Sequence, residues 1–216
     1  MKKLCYLILL LFFCSTVYGG GLNKELQFWM GPGLARYQNT YDSAIPEFGF
    51  KAETKHTFFA GFALSLKKDE SPLGLRFSLE YLRKGTNERL YDLGRPVRLF
   101  TYNLDVLSHC GIIRIIVFSG KLRPYFLTGY DASLVLKHSL MIKDPSNGSE
   151  NLTSETKKFD LAAVGGVGIM FPCANLTPFL ELRYYLGLVN IYNGNYKTRT
   201  LLFSAGLSIP IFQKKS

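Results

Sequence analysis

The sequence predicts an all-β chain closed into an eight-stranded antiparallel up-and-down transmembrane β-barrel. Three observations predict it. Apolar residues recur at every second position through most of the chain. The connections between these alternating segments are long and short by turns. After the N-terminal leader, no stretch holds the roughly eighteen uninterrupted apolar residues of a membrane helix. An exported chain of this kind can enter a bilayer only as a closed barrel, because strands in lipid must satisfy all their backbone groups by pairing.

Alternation places the strands at about 26–37, 56–67, 72–84, 100–117, 123–137, 158–171, 177–191 and 198–212. In the second, Phe58, Ala60, Phe62, Leu64 and Leu66 oppose Thr57, Gly61, Ala63 and Ser65. In the third, Leu73, Leu75, Phe77, Leu79 and Tyr81 share one face, and Gly74, Arg76, Ser78 and Glu80 take the other. The seventh sets Leu180, Leu182, Tyr184, Leu186 and Leu188 against Phe179, Glu181, Arg183 and Gly187. The eighth sets Phe203, Ala205, Leu207, Ile209 and Ile211 against Ser204, Gly206, Ser208 and Pro210. The load of 13 Tyr and 17 Phe suits strands, where aromatic rings pack on a pleated surface.

Links 38–55, 85–99, 138–157 and 192–197 are polar, and the first three are long. Links 68–71, 118–122 and 172–176 are short and turn-forming. Loops on one side and tight turns on the other are expected of an outer-membrane barrel with both termini in the periplasm. A soluble lipocalin-like barrel also has eight strands. Its polar face would look outward, however, and glycines and paired charges suit a crowded lumen better than an open surface.

The polar faces therefore yield the candidate site, a structural lumen charge network of Arg76, Glu80, Asp105, Glu181 and Arg183. Buried charges must be paired and hydrogen-bonded. The fourth strand is irregular. If Asp105 faces the lumen, strict alternation sends Arg114 into lipid, at a cost of roughly 2–4 kcal/mol near the midplane. A bulge near Ser108–Gly111 would turn Arg114 inward and Ile113, Ile115 and Val117 outward. Gly165, Gly166 and Gly168 read as room for large lumen neighbours, since no helix follows them to make a phosphate loop.

Residues 1–20 read as a cleaved secretory leader, leaving 21–216 as the barrel domain. Lys2 and Lys3 form its charged start and Leu4–Cys14 its apolar centre; Val17 and Gly19 fit the cleavage positions. Phe13 argues against a lipoprotein leader at Cys14. The formal charge is +10, or about +8 without Lys2 and Lys3. The basic residues are dispersed, which excludes a nucleic-acid stripe and favours anionic head groups or loop solubility. Cys110 and Cys173 alone would survive maturation and form neither a disulfide framework nor a metal-ligand spacing. His56, His109 and His138 lie on separate strands or strand ends. No catalytic, cofactor or metal site is predicted.

At this point the residues resemble a family. DLAAVGGVGIMF (160–171), LELRYYLGLVNI (180–191) and LLFSAGLSIPIF (201–212) resemble the PorT-like outer-membrane β-barrels of Bacteroidetes. The carrying residues are Asp160, Gly165, Gly166, Gly168, Glu181, Arg183, Tyr184, Gly187, Leu188, Asn190, Ile191 and Gly206. YNLDVL (102–107) and PYFLTGYDASL (124–134) extend the likeness over most of the mature chain. Leu107, Pro210 and the tail after Phe212 depart from the family pattern. The resemblance implies an outer-membrane barrel and does not fix a function; the role expected is that of a non-enzymatic, monomeric barrel with a structural or interaction task in secretion or envelope assembly, its partners outer-membrane lipid and other envelope or secretion proteins. The alternative is a lipid-modifying enzyme, for which His138–Ser139 would be the dyad.

Overall fold

The computed structural model describes residues 22–38, 49–68, 71–93, 95–143, 148–173, 175–191 and 196–212. The predicted leader lies outside them, as does most of the first long link.

Among the described residues ten antiparallel strands form one sheet: β1 (Leu22–Gln38), β2 (Gly49–Glu53), β3 (Lys55–Lys68), β4 (Leu73–Asp92), β5 (Arg95–Ile116), β6 (Arg123–Lys143), β7 (Gly148–Asn151), β8 (Phe159–Met170), β9 (Thr177–Gly187) and β10 (Lys197–Phe212). Eight of them close a ring in the order β1-β3-β4-β5-β6-β8-β9-β10, with β10 pairing back to β1. The short strands β2 and β7 are additions: β2 continues the line of β3 against the far end of β4, and β7 pairs with the far end of β6. Closure leaves the ring without an edge, which a sheet in lipid requires.

Side chains alternate as the pleat demands. On β4, Gly74, Arg76, Ser78, Glu80, Leu82 and Lys84 are buried, while Leu73 and Leu75 on either side of Gly74 are exposed. The outward residues form an apolar band. On β1 they are Leu26, Phe28, Met30, Pro32 and Leu34, bounded by Lys24 and Arg36. That span is roughly 40 Å along the strand, or roughly 28 Å across a bilayer at a strand tilt of about 45°. On β4, β5 and β6 the outward apolar run ends at the row Arg83, Asp105 and Lys137, a charged rim.

Two expectations are corrected here. The link 85–99 is not a long loop. Strands β4 and β5 pair from Leu73↔Ile115 out to Asp92↔Arg95, and Leu93 takes a positive φ of 46° at the reversal. At about 3.3 Å per residue the 20 residues of β4 measure roughly 66 Å, or about 47 Å of height at the same tilt, well past the roughly 30 Å hydrocarbon core. Past the rim the outward side chains need not be apolar, so Asn87 and Arg89 can occupy strand positions that resemble loop. The bulge expected near Ser108–Gly111 is also absent: Leu104, Val106, Ser108, Cys110, Ile112 and Arg114 are all buried on one unbroken face. The irregularity lies in β6, where Leu136 is the extra residue between the pairs Asp105↔Lys137 and Val106↔Val135.

The barrel thus has a tall wall, where β2, β4, β5, β6 and β7 continue past the rim, and a low wall of β8, β9, β10 and β1 that stops near it. Residues 152–158 and 188–191 fold over the mouth between them, held by Leu152 N–H to the His138 carbonyl (2.9 Å) and Lys157 N–H to the Ile191 carbonyl (2.9 Å).

Candidate functional site

The lumen is crossed by side chains from opposite walls. Strands β4 and β9 stand four places apart in the ring of eight, so they face each other across the bore. Arg76 of β4 donates to both carboxylate oxygens of Glu181 on β9, at 2.5 and 3.1 Å. In the reverse sense, Arg183 of β9 donates to Glu80 of β4 at 2.7 Å. These four side chains are fully buried. Arg183 also lies 3.4 Å from Glu181, which ties the two struts together. Tyr125 donates to Glu181 at 2.6 Å, Tyr185 to Glu80 at 3.2 Å and Ser78 to Glu80 at 2.9 Å. The indole of Trp29 lies under both guanidiniums, at 5.1 Å from Arg76 and 5.2 Å from Arg183.

Glycine makes these reaches possible. Tyr125, Gly168 and Glu181 are cross-strand neighbours in one row. A Cβ at Gly168 would meet the Tyr125 ring at 2.4 Å, so only glycine lets the tyrosine lie across β8 and reach the carboxylate. Another row runs Phe179, Gly206, Trp29, Gly61, Glu80. Its glycines are filled by the Phe179 ring and by the Glu80 and Trp29 side chains. Gly165 differs: nothing lies within 4 Å of its Cβ position, so it makes no room for a lumen neighbour.

Further toward the loops, Lys84 donates to Asp131 (3.0 Å) and Asp160 (2.9 Å), joining β4, β6 and β8. Thr198 adds a bond to Asp160 at 2.9 Å and Ser133 one to Asp131 at 2.8 Å. Toward the turns, Arg114 bonds Ser65 and lies 5.7 Å from the Tyr125 ring centre. Among the described residues the buried cations are Arg76, Lys84, Arg114 and Arg183, and the buried anions are Glu80, Glu88, Asp131, Asp160 and Glu181. Above them Tyr37, Tyr102, Tyr196 and His138 pack at ring separations of 6.0–6.3 Å and close the mouth. His138 Nδ1 meets the Thr156 hydroxyl at 2.6 Å, and burial lowers its pKa to about 4.

The structure brings together Arg76, Glu80, Glu181 and Arg183 of the predicted set. It does not bring Asp105, and that assignment is corrected. With β5 unbroken, Asp105 points outward with Asn103 and Leu107, where Arg83 donates to it at 2.6 and 3.3 Å. This ion pair sits at the rim, partly exposed, with Arg83 5.5 Å from the Phe58 ring centre. Sequence reasoning missed Lys84, Asp131 and Tyr125 as lumen partners. Lys84 continues the even-numbered face of Arg76 and Glu80 and stands at the last position of the predicted strand 72–84, so the signal was present. Asp131 and Tyr125 share their face with Leu127, so no polar stripe marks it. His138 points inward and its neighbour Ser139 outward, so the two do not form a dyad. Cys110 is buried and Cys173 exposed, and neither is bridged.

The family described as outer membrane protein beta-barrel domain matches residues 16–193. No curated protein sequence matches. Among solved structures, a major outer membrane protein from Thermus thermophilus aligns at a TM-score of 0.51 with 12% identity, covering 89% of this chain and 100% of that one. Neisserial surface protein A aligns at 0.48 with 14% identity, covering 88% and 97%. Ail, the attachment invasion locus protein of Yersinia pestis, aligns at 0.43 with 14% identity, covering 86% and 98%.

Proposed function

Since this chain belongs to the outer membrane protein β-barrel domain family, we propose that it is a non-enzymatic outer-membrane barrel that works through its loop-end surface. It places both termini in the periplasm and is delivered there by a cleaved leader at 1–20. The crossed struts Arg76–Glu181 and Arg183–Glu80 carry this reading. They span the bore with buried side chains, so traffic through the lumen would have to break paired charges in a site of low dielectric. What remains to do work is the outside. The tall wall offers a broad mixed face beyond the lipid, with Asn87, Arg89, Thr101, Asn103, Lys137 and Ser139 turned outward beside Leu99 and Met141. Function gathers on such exposed surfaces held by a rigid scaffold. The PorT-like resemblance of the last three strands favours a partner in secretion or envelope assembly. The separation of His138 from Ser139 weighs against the lipid-modifying alternative.

The test has two arms. Folded barrel, checked by heat-modifiable gel mobility, should be silent in a planar bilayer. A photo-crosslinking residue at Thr101 should capture an envelope protein in cells, while one at Phe203 in the apolar band should not. Stable steps of porin size, or equal capture from both positions, would sink the proposal.

A further inference from the structure

From the rim upward, the outward face of the tall wall is basic. On β4 the outward cations are Arg83 at the rim and Arg89 above it; on β6 they are Lys137 and Lys143. Lys51 of β2 pairs with Arg89 and adds a further cation at the upper level. Lys55 reaches the same face, where it donates to the side chain of Asn103. Against these cations the described part of the face carries the acids Glu53 and Asp105. Both acids are engaged: Arg83 holds Asp105 at 2.6 Å and Arg89 holds Glu53 at 3.1 Å. Lys137 stands beside Asp105 in register, but it makes no ion pair with a described residue, and neither do Lys51 and Lys143.

The height of this face selects its occupant. Arg83 to Arg89 on β4, and Lys137 to Lys143 on β6, are each roughly 20 Å of strand, or about 14 Å of height at a tilt near 45°. Lipid head groups add only about 5–8 Å to each side of the hydrocarbon core. They reach Arg83 and Lys137 and fall short of Arg89 and Lys143. The upper cations therefore need an anion that stands above the lipid surface. The face also looks along the membrane plane, because it continues the lipid-facing side of the same strands. Chains that rise from the surrounding leaflet pass directly beside it. Between the cations lie the amides and hydroxyls of Asn87, Asn103, Thr101 and Ser139, groups that exchange hydrogen bonds with hydroxylated ligands. Lysines on long, unpaired stems suit anions repeated along a chain better than one fixed, bidentate contact.

We propose that the outward face of the tall wall binds an acidic polysaccharide, which runs up β6 from Lys137 to Lys143 and across to Lys51. The inference deepens the function proposed above and rests on its orientation, with the loop end outside. Charge selects the acid groups of the glycan, and the intervening amides and hydroxyls meet its sugar hydroxyls. Pairing of β4 with β5 and of β5 with β6 fixes the spacing of the cations.

Isothermal titration calorimetry of the folded full-length barrel in phosphatidylcholine nanodiscs tests this, with alginate, neutral dextran and polyglutamate as probes. The wild type should bind alginate and not dextran, and added salt should weaken the binding. The double variant Lys51→Gln/Lys143→Gln should lose roughly tenfold in affinity, the combined weight of two exposed charge contacts. Lys157→Gln/Lys158→Gln removes the same charge from exposed positions of the covering segment, at the same end of the barrel, and should change nothing. Equal losses in the two double variants would show attraction to net charge alone and overturn the site. Polyglutamate bound as tightly as alginate would overturn the glycan in favour of an acidic protein. A loss in Lys137→Gln with none in Lys51→Gln/Lys143→Gln would confine binding to the head-group level and overturn the proposal, as would absence of alginate binding at low salt. Conductance and crosslinking at Thr101 report on the proposed function independently of any of these results.

Discussion

Below the rim the two walls of the barrel obey the same rule; above it they part. On the low wall, β9 ends at Gly187 and β10 begins at Lys197, so each strand stops within a few residues of the lipid. On the tall wall, β4 and β5 run on together to Asp92 and Arg95. The difference shows what each constraint contributes. Lipid fixes the outward face of a strand and the lumen fixes the inward face. Where both act, the alternation is strict. Where lipid is gone, hydrogen bonding to a neighbour strand is enough to continue the sheet, and the outward residues are free to be polar. The tall wall is therefore secured by pairing, and by the lumen struts at its base, more than by an apolar outer surface.

The sharpest way to break this comparison is to cut a strut, because the struts join the walls. Arg183→Leu removes the low-wall end of its pair and leaves Glu80 of the tall wall buried without its ion-pair partner, with Ser78 and Tyr185 as its remaining hydrogen-bond donors among the described residues. Stranding one member of a buried ion pair costs about 3–5 kcal/mol. Urea titration in lipid vesicles should show a loss of that size, with both walls unfolding in one transition. A loss below about 1 kcal/mol, the range of exposed pairs, would mean that the struts do not brace the walls.

The parts of this architecture that could be read in advance follow from the same division. Arg76, Glu80, Glu181 and Arg183 were legible because outward leucines and aromatics flank each of them within the lipid band. Asp105 was misassigned because it stands at the rim, where an outward acid is tolerated once Arg83 pairs with it. The reach of β4 and β5 was illegible for a related reason: Asn87, Arg89 and Thr101 carry no apolar stripe, although their backbones pair in register. Tyr125 was missed because its partner is set by Gly168 on the next strand, a cross-strand relation that no single segment displays.

A smaller and local effect should appear at the joint between the walls. His138 of the tall wall packs on Tyr37 of the low wall and bonds Thr156 of the covering segment. It lies beyond the apolar band, and burial lowers its pKa from 6.5 to about 4. The folded state therefore favours neutral imidazole. That contribution is complete above about pH 6.5, where the unfolded side chain is also neutral. It declines as pH falls toward 4, because the unfolded state takes up a proton first. Limited proteolysis of residues 152–158 should accelerate across this window while the barrel keeps its gel mobility. His138→Gln should flatten the profile. A wild-type rate that is constant from pH 7 to 4 would show that His138 does not hold the joint.

The smallest effect belongs to the rim. Arg83 and Asp105 form a charged pair on the same two strands that carry the lumen charges, but on the outward side and partly exposed. Solvent and head groups can replace either partner there, and exposed pairs contribute about 0–1 kcal/mol. Asp105→Asn keeps the shape and one acceptor oxygen for Arg83, so its effect should fall at the low end of that range. The same urea titration used for Arg183→Leu measures it, and raising the salt should shrink it further. A loss approaching that of Arg183→Leu would show that the rim is as dry as the lumen. The division between an interior held by buried charge and an exterior held by lipid and pairing would then fail at the height where the tall wall begins.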